Sequence, residues 1–303
     1  MSTQVSVLVG ASLIPPDDYE FNPDRWLDPR RKGRLLHEVF EHTLSKARES
    51  NVAHGDRAFE KLALERLHFE VEQAKKEVPA PGEDAVNREL AGLEDDVRSF
   101  VRMVRKEGAP WEELEFGFGM GGEAPVSIEV EGGSIQLRGM IDRLDCPGGD
   151  LELEGIRVID YKTGRNTRDF RQGTRVFNGG RRLQLGLYAL AVEERLSRPV
   201  ETGEYHYPTR GGQNELFSFE RNQLVKGISS LVGHMLQGVA EGRFIPTQDK
   251  EDCSYCDYSE VCRVEKSDYG GVTSSPLAEW SEKHLEHPAL TPLKEVREFE
   301  DEG

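Results

Sequence analysis

Two apolar segments that carry acidic residues constrain this chain more than any other feature. Residues 139–145 read Gly-Met-Ile-Asp-Arg-Leu-Asp, and residues 158–164 read Val-Ile-Asp-Tyr-Lys-Thr-Gly. Each has the length and apolar content of a β-strand, and the turn-forming residues 146–150, Cys-Pro-Gly-Gly-Asp, lie between them. The two segments therefore predict successive strands of one sheet, each with an acidic side chain.

The second segment contains an Asp-x-Lys pattern, which is common by chance and gains value only from its context. Residues i and i+2 of a strand point to the same face, so Asp160 and Lys162 project together. If Asp142 lies opposite on the first strand, two carboxylates and an amine converge. Carboxylates bind Mg²⁺ or Mn²⁺, and an amine can stabilise an attacked phosphate or position water. The alternative is a cross-strand salt bridge on a solvated face.

Composition sets limits on the partners of the chain. Its 303 residues suffice for one large domain with a full hydrophobic core. With 56 acidic against 39 basic residues the formal net charge is −17, so the mean field repels nucleic acid. Contact with DNA then requires metal ions or a local basic groove. Arginines concentrate between positions 157 and 182, and they predict either such a groove or a solvated basic loop.

The chain shows no sign of a membrane partner or of export. No apolar run approaches the ~18 residues of a membrane span, and residues 1–10 lack the pattern of a signal peptide. We expect an intracellular, cytoplasmic protein. Three of the four cysteines lie within residues 253–262, which favours a metal or cluster site in a reducing compartment over a disulfide framework.

The amino-terminal half reads as an arm followed by helices. Residues 1–32 show no sustained period and predict an arm, after which the domain is expected to span residues 33–265. An apolar stripe that includes Leu36 and Phe40 predicts its first helix. Residues 55–108 keep a helical period interrupted by prolines, which predicts an inserted helical subdomain.

Strand signals follow, and helical signals then return. A β-meander is predicted across residues 115–162, helices over 182–196 and 222–240, and a hairpin around residues 210–212. This order indicates an α/β fold with a central mixed sheet flanked by helices. Residues 266–303 are acidic and lack apolar periodicity, so they predict a mobile tail.

Further polar residues recur at helical spacing. His37 and Glu41 follow Gly33 in steps of four, and Gln184 and Tyr188 share a face of a later helix. A lone histidine on an apolar helix is more often a packed or exposed residue than a ligand. In order, however, the motifs resemble those of RecB-type nucleases in the PD-(D/E)XK superfamily from about Gly33 to Cys262. The matching motifs are Gly33-x3-His37-x3-Glu41, Glu115-x2-Phe118, Gly139-x2-Asp142-Arg143, Asp160-Tyr161-Lys162-Thr163-Gly164 and Gln184-x3-Tyr188.

The resemblance implies a restriction-endonuclease-like PD-(D/E)XK core and a metal site of Mg²⁺ or Mn²⁺. Its implied ligands are His37, Asp142, Asp160 and the main-chain carbonyl of Tyr161. Such a metal lowers the pKa of its bound water and neutralises the phosphate, which makes hydrolysis feasible near neutral pH.

The resemblance also implies roles for residues around the metal. Glu115 is expected near the metal or in proton movement, and Lys162 orients or activates water and stabilises the transition state. Gln184 and Tyr188 are expected to position DNA or support the site.

The implied function is metal-dependent DNA hydrolysis, exonuclease-like on single strands, in double-strand-break repair and recombination. The inserted helices and the chain length favour an AddB-like nuclease. Because the chain has no Gly-x4-Gly-Lys-Ser/Thr phosphate loop, unwinding must come from a helicase partner. One alternative is a Cas4-like nuclease of CRISPR adaptation, and another is a non-catalytic DNA-binding or scaffold module.

The cysteine cluster, Cys253, Cys256 and Cys262, resembles the carboxy-terminal part of the iron–sulfur staple in AddB and Cas4 nucleases. The fourth ligand is unassigned, because no cysteine precedes Gly33 and Cys146 lies where the resemblance calls for none. Three interpretations remain: a [4Fe-4S] cluster, a zinc site completed by His or Asp, or free thiols.

Overall fold

The computed structural model describes residues 25–107, 111–146, 155–164, 176–243, 246–254, 256, 258–267 and 271–299. These residues form two compact units. We call residues 25–230 the sheet unit and residues 231–299 the C-terminal unit. In the part of the chain described, no helix combines the length and the apolar character needed to cross a membrane.

The sheet unit opens with three helices: α1 (Pro29–Glu49), α2 (Arg57–Glu77) and α3 (Glu83–Glu107). Asp28 caps α1, since its Oδ1 accepts from Arg30 N–H at 2.8 Å and from Arg31 N–H at 3.0 Å. Trp26 is 1% exposed. The folded part therefore begins before Gly33, and residues 25–32 are not part of an arm as predicted.

Helices α2 and α3 match the two helices expected within residues 55–108, with the break at the prolines. They pack with α1 in one apolar core, in which the rings of Phe40 and Phe100 stack at 4.1 Å. Ile159 and Tyr161 of the sheet belong to the same core. The helical layer thus covers the strand that carries the Asp-x-Lys pattern.

Seven strands follow among the described residues of the sheet unit. They are β1 (Trp111–Phe118), β2 (Val126–Val130), β3 (Gly133–Leu137), β4 (Gly139–Asp145), β5 (Ile156–Tyr161), β6 (Val200–Tyr207) and β7 (Glu215–Glu220). A five-stranded sheet has the order β1-β4-β5-β6-β7, and β2 with β3 forms a separate hairpin. Only the β5–β6 pair of the larger sheet is parallel. The prediction of a mixed sheet with flanking helices is confirmed.

Helix α4 (Gln184–Leu196) lies between β5 and β6 in sequence and is the crossover that a parallel strand pair requires. It packs closely on its neighbours, because a Cβ at Gly186 would lie 2.5 Å from Ile228 Cδ1. The single helix predicted for 222–240 is two helices, α5 (Arg221–Val225) and α6 (Ile228–Ala240). The break falls at Gly227, whose φ of +78° is incompatible with a continuous helix.

The C-terminal unit contains short elements: α7 (Lys250–Ser254), β8 (Glu265–Lys266), β9 (Val272–Ser274), α8 (Pro276–Lys283), a 3₁₀ turn (Pro288–Leu290) and α9 (Thr291–Arg297). Ser275 and Ser281 are buried there, as is Leu290. The structure differs here from the predicted mobile tail, because a few widely spaced apolar residues and helix-starting prolines suffice for short packed turns.

Candidate active site

The two acidic strands are adjacent, and they separate at the acidic residues. The β4–β5 ladder pairs Asp145 with Arg157, Leu144 with Val158, and Arg143 with Ile159. Past that last pair, the Tyr161 N–H donates to the Oδ2 atom of Asp142 at 2.6 Å instead of to a strand carbonyl. The Asp142 carboxylate of β4 is thus bonded to β5 at the point where the two strands separate, and we call this point the fork.

His37 reaches this fork from α1. Its Nδ1 lies 3.2 Å from the Oδ1 atom of Asp142. Burial disfavours the charged imidazole, but the hydrogen bond and negative charge of Asp142 outweigh it and raise the pKa of His37. The charge of Asp160 acts in the same direction. Helix packing thus places an imidazole against a carboxylate 105 residues away in sequence.

Asp160 carries the most unfavourable charge in the site. It is only 4% exposed, and burial, reinforced by Asp142 and opposed by Lys162, raises its pKa from 3.8 to about 6. Its Oδ2 atom lies 2.6 Å from Lys162 Nζ in an ion pair. Removing a carboxylate from water is costly, so a buried carboxylate beside a cavity is a strong acceptor for a cation.

Lys162 is held by a chain of side-chain hydrogen bonds. Its Nζ donates to Gln184 Oε1 at 2.7 Å, and Gln184 Nε2 donates to the Tyr188 hydroxyl at 2.8 Å. Burial raises the pKa of Tyr188 to about 12, so this hydroxyl keeps its proton near neutral pH. Two consecutive turns of α4 therefore orient the amine that follows β5.

Two cavities flank the His37–Asp142 pair. The first, of about 420 Å³, contains the fork. It is lined by His37, Asp142, Asp160, Tyr161, Lys162, Thr163, Gly164, Gln184, Tyr188 and Tyr207. The second, of about 530 Å³, is lined by Gly33, Arg34, His37, Glu38, Glu41, Glu115, Met140 and Asp142. The structure thus brings all but one of the predicted metal-site residues to one cavity.

Glu115 is the predicted residue that does not line the first cavity. It lies on β1 between Leu114 and Phe116, which pair with Arg143 and Ile141 of β4, and it lines the second cavity with His37 and Asp142. Its φ of +49° is rare for a residue with a side chain, and such strain is often found at functional sites. Burial, followed by the charge of Asp142, raises the pKa of Glu115. Its role in the reaction stays a prediction.

Tyr207 is a cavity residue that the sequence analysis did not identify. It ends β6, which runs parallel to β5. The carboxyl ends of parallel strands meet at one edge of a sheet, so the β6 end necessarily lies beside Asp160 and Lys162. The βαβ order was the signal that could have identified it.

The donor set fits a hard divalent cation. Imidazole and carboxylate side chains border one cavity, and the Asp160 carboxylate is buried there at 4% exposure. In the part of the chain that the structure describes, no three His, Cys, Asp or Glu side chains are already gathered in a metal-binding arrangement.

The cysteine cluster lies in the C-terminal unit. Cys253 is buried with its Sγ 3.3 Å from Ser275 Oγ, and Cys256 Sγ accepts from Tyr258 N–H at 3.4 Å. Burial, with the neighbouring Cys256 and Cys253, raises the pKa of Cys262. Three thiols without an assigned fourth ligand do not match the four thiolates of an iron–sulfur centre.

The arginine-rich stretch from residue 157 to residue 182, predicted to form a basic groove or a solvated loop, is described only in part. Arg157 does not contribute to a solvent-facing groove, because its Nη2 lies 2.7 Å from Glu204 Oε2 and its Nη1 3.4 Å from Asp145 Oδ2. Four other members lie outside the described residues, namely Arg165, Arg168, Arg171 and Arg175.

Fold and site together define a nuclease of the PD-(D/E)XK type. Residues 11–263 match the model of the PD-(D/E)XK nuclease superfamily, and the chain belongs to that superfamily. This confirms the resemblance drawn from the motifs.

Two curated relatives refine this assignment. The chain is 47% identical over 83 residues to the B subunit of the ATP-dependent helicase/deoxyribonuclease of Symbiobacterium thermophilum, a match that covers 27% of this chain and 7% of that protein. It is 30% identical over 173 residues to the Gene 69 protein of Mycobacterium phage D29, a match that covers 54% of this chain and 51% of that protein. The matches thus span about half of one relative and a small part of the other.

Proposed function

We propose that this chain is a metal-dependent deoxyribonuclease, exonuclease-like on single-stranded DNA. The observation that carries the proposal is the buried Asp160 carboxylate, which lines one cavity with His37, Asp142 and Lys162 and lies 2.6 Å from the Lys162 ammonium. The name of the Symbiobacterium relative, a helicase/deoxyribonuclease subunit, supports a role beside a helicase. We propose double-strand-break repair and recombination as the process in which this chain acts.

The residues of the site have different proposed roles. His37, Asp142, Asp160 and the Tyr161 carbonyl would hold Mg²⁺ or Mn²⁺, which when bound would supply Lewis acidity to water and phosphate. Asp142 is kept in place by the Tyr161 N–H and by His37. These contacts fix the carboxylate before any ligand arrives, so little reorganisation is needed.

Lys162 acts on the substrate side. Gln184 holds its ammonium at the cavity, where it stabilises negative charge on the attacked phosphate and orients the attacking water. Tyr188 supports Gln184 and donates its own proton toward the cavity, where it contacts the DNA backbone. Glu115 is reached from the second cavity and takes part in proton movement there.

A direct assay tests the proposal. End-labelled single- and double-stranded DNA is incubated with the purified chain in Mg²⁺, in Mn²⁺ and in excess EDTA. We expect progressive shortening of the single strand with either metal and none in EDTA. Restoration by added Mn²⁺ controls for damage by the chelator.

The outcome separates the alternatives. Binding of DNA without cleavage in either metal would contradict the proposal and favour the scaffold function. Copurification with a helicase supports the repair role, whereas copurification with proteins of CRISPR adaptation supports the alternative nuclease role.

The cysteine cluster yields a second prediction. If Cys253, Cys256 and Cys262 hold a [4Fe-4S] cluster, protein purified without oxygen is brown and absorbs broadly in the visible. Cys256→Ser then loses the colour, and Cys146→Ser shows whether Cys146 is the fourth ligand. Metal analysis that finds only zinc contradicts the cluster, and analysis that finds neither metal favours free thiols.

A further inference from the structure

A buried group of charged side chains lies beside the fork and has no part in the proposed chemistry. Arg143 is 0% exposed and Asp145 is 1% exposed, although both are on β4 next to Asp142. Successive strand residues point to opposite faces, so Arg143 projects away from the face of Asp142. Charges buried this deeply are costly unless partners fix them.

Two of the Arg143 nitrogens are fixed by Asp145. Nε donates to Oδ1 and Nη2 donates to Oδ2, both at 2.6 Å. A bidentate pair of this kind holds the plane of the guanidinium. The remaining nitrogen, Nη1, donates to the Tyr161 hydroxyl at 3.0 Å. Arg143 of β4 is thereby bonded to a side chain of β5.

The Tyr161 side chain is itself tightly packed. It is 5% exposed, and its ring makes edge contacts with Phe40 at 5.6 Å and with Phe100 at 5.9 Å. Its hydroxyl can therefore transmit the position of the guanidinium to the backbone of β5. No rotation of the ring is available to absorb a displacement in so dense a core.

Tyr161 is tied to two successive residues of β4. Its N–H donates to the carboxylate of Asp142, and its hydroxyl accepts from Arg143. Both contacts lie past the last ladder pair, Arg143 with Ile159. These two contacts link β4 to β5 where the ladder ends. The carboxylates of Asp142 and Asp160 line one cavity at the same place.

A ring of side chains surrounds the guanidinium and links β4, β5, β6 and α3 through contacts of 2.6 to 3.6 Å. In order, its members are Arg143, Asp145, Arg157, Glu204, His206 and Glu107. Hydrogen bonds join Arg143 to Asp145, Arg157 to Asp145 and Glu204, and His206 to Glu204. Displacement of the guanidinium would therefore break its bidentate contact with Asp145.

We propose that Arg143 is a positioning residue: through the Tyr161 hydroxyl it sets the separation of β4 and β5 and hence the spacing of the Asp142 and Asp160 carboxylates. The inference rests on the proposed metal site. It matters because Mg²⁺ demands near-ideal octahedral geometry, whereas Ca²⁺ accepts variable geometry. Supporting contacts of this kind change metal affinity about 10- to 100-fold when removed.

Tyr161→Phe is the test variant, because it deletes the hydroxyl and keeps the ring in its aromatic contacts. Binding of Mn²⁺ and Ca²⁺ to the purified chain is measured by calorimetry, without DNA. We expect Mn²⁺ binding about 10-fold weaker and Ca²⁺ binding changed much less. Cleavage falls at limiting Mg²⁺ and recovers in excess metal.

Thr43→Val is the matched control. Thr43 is 0% exposed, and its hydroxyl donates to the Val39 carbonyl at 2.6 Å, so this variant also loses one buried hydroxyl contact. We expect Thr43→Val to lower the melting temperature as much as Tyr161→Phe while leaving Mn²⁺ affinity unchanged. Equal weakening of Mn²⁺ binding in both variants overturns the proposal, because it shows a general effect of stability.

A second variant, Arg143→Lys, keeps the charge and loses the bidentate contact with Asp145 and the bond to the Tyr161 hydroxyl. We expect still weaker Mn²⁺ binding in this variant. If it does not fold, Tyr161→Phe decides. Wild-type Mn²⁺ affinity in Tyr161→Phe overturns the positioning role. A wild-type chain that binds Mn²⁺ tightly but leaves DNA intact contradicts the proposed function alone, and one that binds no Mn²⁺ overturns both.

Discussion

Lys162→Ala is expected to lower the rate of DNA cleavage by about 100- to 1000-fold, the usual cost of deleting one preorganised electrostatic contact to a transition state. The ammonium of Lys162 lies 2.6 Å from Asp160 Oδ2 and is oriented by Gln184. Its loss removes positive charge from the cavity, and it also removes the charge that opposes the raised pKa of Asp160. The measurement is the single-turnover rate on end-labelled single-stranded DNA with saturating Mg²⁺.

Lys61→Ala is the matched control for that variant. Lys61 lies on α2, its side chain is 76% exposed, and its ion pair with Glu65 spans 3.6 Å. Surface pairs of this kind contribute little to stability, so we expect the wild-type cleavage rate. Undiminished cleavage by Lys162→Ala, with a wild-type melting temperature, would refute the assignment of Lys162.

Asp160→Asn is expected to stabilise the metal-free chain near neutral pH while abolishing its stabilisation by metal. The pKa of Asp160 is about 6 against an ordinary 3.8, so the folded state holds this proton more tightly than the unfolded chain does. Stability therefore falls as pH rises from about 4 to about 6, and the full cost is present above pH 6. That cost is at most about 3 kcal/mol.

The net gain is smaller than this cost, because the variant also loses the ion pair with Lys162. We expect about 1 to 2 kcal/mol in urea unfolding at pH 8 without metal, shrinking as pH falls toward 4. Saturating Mn²⁺ stabilises the wild type by mass action and leaves Asp160→Asn unchanged.

Asp95→Asn serves as the control for this second variant. Asp95 is half exposed and pairs with Arg210 at 2.9 Å, and we expect neither a pH-dependent gain nor a lost response to metal. A metal-free Asp160→Asn that is less stable than the wild type at every pH would contradict the cost assigned to the buried carboxylate.

Much of the architecture was predictable because periodicity is a local property. The i, i+2 spacing of Asp160 on β5 and Lys162 just after it required only the strand geometry, and the proline break between α2 and α3 required only backbone chemistry. Less predictable was the start of α1, whose cap at Asp28 adjoins the buried Trp26 in a stretch without sustained apolar period. One aromatic anchor suffices there, and no repeat reveals it.

The site was predictable in its chemical groups and less so in their surroundings. The donors His37, Asp142 and Asp160 were named from the motif series, and the structure lines one cavity with them. Glu115 was expected near the same metal, and it lines the second cavity, which shares His37 and Asp142 with the first. Its backbone has a φ of +49°, and no sequence pattern encodes that conformation.

The sequence by itself determined which donors the chain offers, on which strand or helix each one lies, and that the protein is a PD-(D/E)XK nuclease. Only the tertiary structure decided that Asp160 is buried, that β4 and β5 part beside it, and that Arg143 and Arg157 are committed to a buried ring of charges rather than to solvent. The reason is that spacing specifies the face on which a side chain lies. Desolvation and ion pairing depend on residues far apart in sequence, which only the packing of helices on the sheet brings together.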